Sequence, residues 1–78
     1  MGQKRDTALP KAPCARILML AGAKRVSQEA MDAFCEVLEA VAEDIGKKAI
    51  EHANHAGRKT VHDTDIRLAV RMHQVRPA

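Results

Sequence analysis

The sequence predicts an all-α protein made of a short helix, a long central helix and a second short helix. Apolar and small residues recur every three or four positions along most of the chain, which is the period of an α-helix. The breaks in that pattern fall at prolines and glycines. The 78 residues make one small domain with a thin stability margin.

The first short helix follows residues 1–8, a polar segment that we expect to be a flexible basic tail. Pro10 and Pro13 mark the approach to this helix, and Pro13 suits a first helical turn, where a missing N–H costs nothing. The apolar pattern continues to Ala21, and Gly22 is well placed as a C-terminal cap.

The long helix is predicted from residue 28 to residue 56, where there is no proline and a single glycine, Gly46. Ser27 is a good N-cap, and Gly57 ends the pattern. A helix of this length would measure about 43 Å. Its helical spacing is carried by Met31, Phe34, Leu38, Val41, Ile45, Ala49 and Ala53.

The third helix is expected to begin at a cap on His62 or Asp63, with Asp63 and Asp65 favoured by its positive N-terminal end. Arg67 and Arg71 fall on its polar side. Its expected apolar face consists of Ile66, Ala69 and Val70, with His73 as a further candidate. We thus expect a folded domain over residues 9–74, followed by a C-terminal tail at 75–78.

The apolar stripe of the long helix predicts dimerisation. Two short helices cover only part of a long helix, and on one side of it. The stripe spans more than one contact face, so a second copy crossing at its middle would cover the remainder. We expect an obligate homodimer, or a heterodimer with a similar chain, whose core contains Phe34, Leu38, Val41 and Ile45.

Charge is distributed unevenly along the chain, although the net charge is only +3. Residues 1–28 carry +5, residues 29–56 carry −5 and residues 57–78 carry +3. A polyanion would therefore be bound by the two flanks and not by the central segment.

Several classes of protein are disfavoured. No apolar run is long enough to span a membrane, and no signal-peptide pattern follows the basic N-terminus, so we expect a cytoplasmic protein. Cys14 and Cys35 are expected to be reduced thiols that pack as small apolar residues. Phe34 is the only aromatic residue, which argues against base-stacking modules for single strands or RNA.

An enzyme is also disfavoured, since the sequence has no nucleophile–base set and no glycine-rich phosphate loop. His52 and His55 are three residues apart, but no carboxylate or thiol completes a recognisable metal-ligand set around them. We expect no metal, cofactor or small-molecule substrate.

Two regions of the chain resemble archaeal histones. The first contains LPKAP, ARI and AGAKRVS within residues 9–27, and the second contains HAGRKTV and DIRLAVR within residues 55–71. The likeness runs from residue 9 to about residue 73 without gaps. It implies the histone fold and a handshake dimer, in which the first loop of one chain lies beside the second loop of the other.

The resemblance implies sequence-tolerant binding and compaction of double-stranded DNA, by bending or wrapping, in a protein associated with the chromosome or nucleoid. Arg25 matches an arginine that enters the minor groove, as in the histone octamer. Arg16, Lys59 and Thr60 match phosphate contacts, whereas Lys24 is either a further phosphate contact or a solvated charge.

Arg58 belongs to the same basic set, and with Asp65 it matches a buried ion pair that joins the second loop to the third helix. His55 matches a residue that pairs with an aspartate across the contact between dimers, with Asp65 in the partner position. His52 and Leu68 belong to this contact too. Tetramers or longer stacked assemblies on DNA would then respond to pH near 6–7.

Some residues depart from the family pattern. Met19 and Leu20 replace charged residues, and indicate either altered core packing or an extra exposed patch. His52 replaces an apolar residue, and the central helix is more acidic than in many relatives, at Glu36, Glu43 and Glu51. The alternative function is therefore a histone-fold interaction subunit that heterodimerises and contacts DNA little.

Overall fold

A computed structural model describes residues 8–73, which contain three helices and no strand. They are α1 (Lys11–Leu20), α2 (Gln28–His55) and α3 (Asp63–His73). This confirms the predicted order of a short, a long and a short helix. The 28 residues of α2 correspond to about 42 Å. The expected tails lie outside the described residues, except for Ala8.

Both interhelical loops begin with the same glycine-based helix end. Gly22 and Gly57 have φ of 119° and 75°, in the left-handed region that favours glycine. Ala23 N–H donates to the Leu18 carbonyl at 3.1 Å, and Arg58 N–H donates to the Ala53 carbonyl at 2.9 Å. These i to i+5 bonds identify two Schellman motifs, so each glycine ends its helix as expected from the sequence.

The helix starts are less uniform. Ser27 Oγ accepts a hydrogen bond from the N–H of Ala30 at 3.0 Å, which makes it the N-cap of α2. His62 caps α3, because its carbonyl accepts from Asp65 N–H at 3.0 Å and Asp63 is already helical. α1 begins at Lys11, so Pro13 lies within its first turn, as expected from the sequence.

The first of two compact units consists, within the described range, of residues 8–40: α1 and the N-terminal part of α2. Its core is Cys14 and Cys35, which are 3% and 0% exposed and are free thiols. The Cys35 thiol lies 3.9 Å from the Leu9 carbonyl oxygen and 3.8 Å from that of Pro10. Burial of small side chains at this crossing lets the two helices approach closely.

The second unit consists of the rest of α2 together with α3, over described residues 41–73. Ala49, Ala53 and Ala69 are buried between the two helices, and Asp65 is buried beside them. On the expected apolar face of α3, Ala69 is buried in the single chain, whereas Ile66 and Val70 are each 40% exposed, because the contact with α2 is made by the smaller side chains.

The apolar stripe of α2 stays partly uncovered in the single chain. Val37 is 56% exposed. The four residues expected in a dimer core are all half-buried: Phe34, Leu38, Val41 and Ile45. Within residues 8–73, no helix combines the length and apolar character needed to cross a membrane.

Candidate nucleic-acid interface

The loop between α1 and α2 presents two basic side chains. Lys24 and Arg25 are both exposed, and they lie between the left-handed turn at Gly22 and the Ser27 cap. The N-terminal end of α2 follows at once, and its dipole is positive there. Arg16 is exposed on α1 in the same unit. This part of the chain can therefore attract an anion through both side chains and backbone.

The loop between α2 and α3 is of similar construction. Lys59 and Thr60 are exposed in it, and they follow the left-handed turn at Gly57. Arg58 is different, because its guanidinium is turned inward. Its Nη1 donates to the Thr60 carbonyl at 2.9 Å and to Asp65 Oδ2 at 2.9 Å.

Asp65 connects this loop to both neighbouring helices. Its side chain is 0% exposed. Oδ1 accepts from Arg58 Nη2 at 2.9 Å and lies 2.7 Å from His52 Nδ1. Oδ2 accepts from Arg58 Nη1 at 2.9 Å and from the backbone N–H of His62 at 2.7 Å. All four contacts come from the same chain.

These contacts strongly favour the ionised carboxylate. The hydrogen bonds from Arg58, then from the His62 N–H and from His52, hold the pKa of Asp65 well below its usual range. The same ion pair raises the pKa of the Arg58 guanidinium. Arg58 thus holds the loop through Thr60 and Asp65, whereas Lys59 and Thr60 are exposed on it.

The structure brings His52, and not His55, to Asp65 within the chain. The His52 side chain is 41% exposed and forms this contact from α2. His55 is exposed, and Leu68 is half-buried. Sequence reasoning missed the contact between His52 and Asp65. The sequence does contain an indication of this contact, because His52 is a polar residue at a helical position where the pattern favours an apolar one.

A second histidine–aspartate contact lies in the same unit. His73 Nδ1 is 2.7 Å from Asp44 Oδ2, and Lys48 Nζ donates to the same oxygen at 2.7 Å. The hydrogen bond from Lys48, followed by that from His73, lowers the pKa of Asp44. This contact was also missed, since His73 was expected on an apolar face.

Comparison with known proteins assigns these loops to a family. Residues 7–70 match the family of the histone-like transcription factor (CBF/NF-Y) and archaeal histone. The chain belongs to this histone family. Its relatives include an archaeal histone HAN1 subunit from Thermococcus zilligii, which is 56% identical over 63 residues, or 81% of this chain and 94% of the relative.

Probable archaeal histone 3 of Methanocaldococcus jannaschii is 51% identical over the same shares of both chains. Both relatives are matched over nearly their whole length, and each match covers 81% of this chain. Membership of the histone family suggests DNA binding and compaction, and histone-family proteins are not enzymes.

Two further surfaces lie outside the basic loops. Met19 and Leu20 are 49% and 80% exposed, so in the single chain they form a patch and not part of the core. Glu29, Glu36 and Glu43 are exposed at seven-residue spacing along α2, which places them on one acidic stripe. Among residues 8–73, no group of three or more His, Cys, Asp or Glu side chains is arranged to hold a metal.

Proposed function

We propose that this histone-family chain binds double-stranded DNA as a dimer, with little sequence preference, and compacts it by bending or wrapping. The observation that carries the proposal is the pair of basic loops, each set by a left-handed glycine and each presenting exposed cationic or hydroxyl side chains. Lys24 and Arg25 are exposed in the first loop, and Lys59 and Thr60 in the second.

Phosphate contacts supply most of the affinity in this proposal. Lys59 and Arg16 neutralise phosphates, while Thr60 donates through its hydroxyl and its backbone N–H. Arg25 enters the minor groove, where it reads groove width and not base identity. Lys24 adds a further phosphate contact. Arg58 contributes mainly by holding the loop.

The complete binding surface belongs to a dimer. In the proposed handshake arrangement, the first loop of one chain lies beside the second loop of its partner, so each paired surface contains both basic clusters. The exposed Val37 and the half-buried stripe of α2 support this arrangement, because burial of that apolar area would offset the thin stability margin of a chain this small. Contact between dimers through His52, His55, Asp65 and Leu68 stays a prediction, and it requires a rearrangement at Asp65, whose carboxylate is 0% exposed and engaged by Arg58, His62 and His52 within the chain.

The experiment is a titration of mixed-sequence duplexes at several salt concentrations. Affinity should fall steeply between about 50 and about 200 mM salt. Binding of the protein releases cations condensed on the DNA, and this release is less favourable at higher salt. Lys59→Gln should weaken binding and reduce the salt slope by about 1. Lys47→Gln is the matched control, since Lys47 is exposed but lies in the acidic segment of α2. Salt-independent binding to one sequence would contradict the proposal.

The second candidate is a histone-fold subunit that pairs with a different chain and touches DNA little. The exposed Met19 and Leu20 and the acidic stripe favour it. Sedimentation of the purified chain distinguishes the two candidates. A folded dimer that binds DNA supports the first, whereas an aggregated or unfolded chain that a partner rescues supports the second.

Compaction is tested separately from binding. On reconstituted DNA, regular stacked wrapping should produce a discrete ladder of nuclease-protected fragments, and isolated dimers should produce a smear. Chromosome association follows from the same proposal, and a chain bound along the DNA would co-sediment with it at low salt and be released at high salt.

A further inference from the structure

The loop that carries Lys59 and Thr60 is held at both ends by one buried carboxylate. Arg58 at its start and the His62 N–H at its end both donate to Asp65, at 2.9 Å and 2.7 Å. Arg58 extends this network to the middle of the loop through the Thr60 carbonyl. The position of the Asp65 carboxylate therefore determines the conformation of residues 58–62.

His52 is the only contact of Asp65 in this network that comes from α2. Its Nδ1 lies 2.7 Å from Asp65 Oδ1. An ionised carboxylate accepts hydrogen bonds only, so this nitrogen must carry a hydrogen. The contact ties the carboxylate to a rigid helix, whereas Arg58 and His62 tie it to the loop itself.

His52 links the surface of α2 to a carboxylate that solvent does not reach. Its side chain is 41% exposed, whereas Asp65 beneath it is 0% exposed. Through that carboxylate His52 is connected to Arg58 of the loop, so a change at this one position of α2 acts on the loop without altering any loop residue.

We propose that His52 is a positioning residue: acting through Asp65 it holds the 58–62 loop in its binding conformation, so that loss of its hydrogen bond loosens the loop and weakens duplex binding. The DNA part of this inference rests on the proposed function. It differs from the contact between dimers expected from the sequence, because both residues belong to one chain.

His73 provides a matched control. It forms a histidine–aspartate contact of the same length, 2.7 Å, between the same two helices. Its partner is Asp44, which makes no described hydrogen bond to the loop. A loss of helix packing alone would therefore affect His52 and His73 variants alike, whereas positioning of the loop depends on His52.

The experiment compares His52→Leu, His52→Asn and His73→Leu with the unmodified chain, by amide hydrogen exchange and by titration with a mixed-sequence duplex. In His52→Leu the His62 amide should exchange about tenfold faster or more, relative to the Ala53 amide. The duplex affinity of this variant should fall about threefold to tenfold.

The asparagine variant tests the hydrogen bond itself, since its amide nitrogen can donate from the place of Nδ1. It should restore both the protection of the His62 amide and the duplex affinity. It also carries the comparison if the leucine variant does not fold. His73→Leu should match the unmodified chain in both measurements.

Two results would overturn the proposal: unchanged exchange at His62 in His52→Leu, or equal losses in His52→Leu and His73→Leu. If the unmodified chain binds no duplex at low salt, the proposed function and the DNA part of this inference fail together. The exchange comparison then still decides whether His52 holds the loop, because it requires no DNA.

Discussion

His73, the last described residue of α3, lies with its Nδ1 2.7 Å from the Asp44 carboxylate of α2. Near the other end of α3, Asp65 meets His52 of α2 at the same distance. The two pairs are eight residues apart on each helix, with histidine and aspartate exchanged, so α3 runs antiparallel to α2 and is fastened at both ends. Both pairs contain a carboxylate that the fold keeps ionised.

Acid should destabilise the protein through these two carboxylates. Folding lowers the pKa values of both carboxylates. The largest cause is the hydrogen bond from Lys48 for Asp44 and the hydrogen bond from Arg58 for Asp65. A group whose pKa is depressed by folding stabilises the fold above its unfolded pKa, and this contribution is lost as the pH falls below that value. Thermal unfolding should therefore show a stable plateau above about pH 5 and a falling Tm below about pH 4.

Asp44→Asn tests the origin of this acid sensitivity. It should lower the Tm at pH 7 and make the fall in Tm below about pH 4 shallower. Asp63→Asn is the control, because the Asp63 side chain is 77% exposed and lies 3.9 Å from Arg67. Equal acid profiles for the unmodified chain and Asp44→Asn would contradict the assignment.

The Ser27 cap should contribute measurably to stability. Its Oγ accepts the N–H of Ala30 at 3.0 Å, a donor that has no partner within the helix. Ser27→Ala should lower the free energy of unfolding by about 1 kcal/mol, whereas Ser27→Asp should retain most of it because its carboxylate can accept the same bond. Denaturant unfolding of both variants measures the difference, and an equal loss in both would show that the cap is not the cause.

The features predicted correctly from the sequence are those that depend on a few neighbouring residues. Gly22, Gly57 and Ser27 each mark a helix end, because left-handed turns and N-caps select particular residue types locally. For the N-cap of α3, the sequence leaves His62 and Asp63 as alternatives. The choice of His62 depends on the Asp65 carboxylate, which accepts its N–H.

The contacts between helices were not predictable in the same way. Which residue of α2 faces Asp65 depends on the packing register of two helices, and that register is set by Ala49, Ala53 and Ala69. The helical period of a sequence places several residues on one face of a helix, but it does not show which residue of the neighbouring helix each of them contacts. The same register explains why Ala69, and not Ile66 or Val70, is buried against α2.

The thiols of the first unit should react slowly in the folded protein. Cys14 and Cys35 are 3% and 0% exposed. A hydrogen bond with the Cys14 thiol, followed by burial, raises the pKa of Cys35, so little reactive thiolate forms near neutral pH. A thiol reagent at pH 7 should modify neither residue on the timescale on which it modifies the unfolded chain.

An exposed cysteine provides the comparison for this measurement. Ala23→Cys adds a thiol on the exposed first loop, and mass spectrometry should show that it is modified first and alone. Rapid modification of Cys14 or Cys35 in the native chain would mean that α1 does not stay packed on α2.

Alanine substitutions at two glycines should change stability in opposite directions. Gly57 has φ of 75°, and a Cβ there would meet no atom within 4 Å, so the cost of Gly57→Ala is conformational, about 1 kcal/mol. Gly46 lies inside α2, where a Cβ also meets nothing within 4 Å, and Gly46→Ala should add about 0.5–1 kcal/mol through helix propensity. Denaturant unfolding of the two variants at equal protein concentration measures both changes. A stabilising Gly57→Ala would show that the loop tolerates another conformation, and a destabilising Gly46→Ala would show that a second chain packs closely against that glycine.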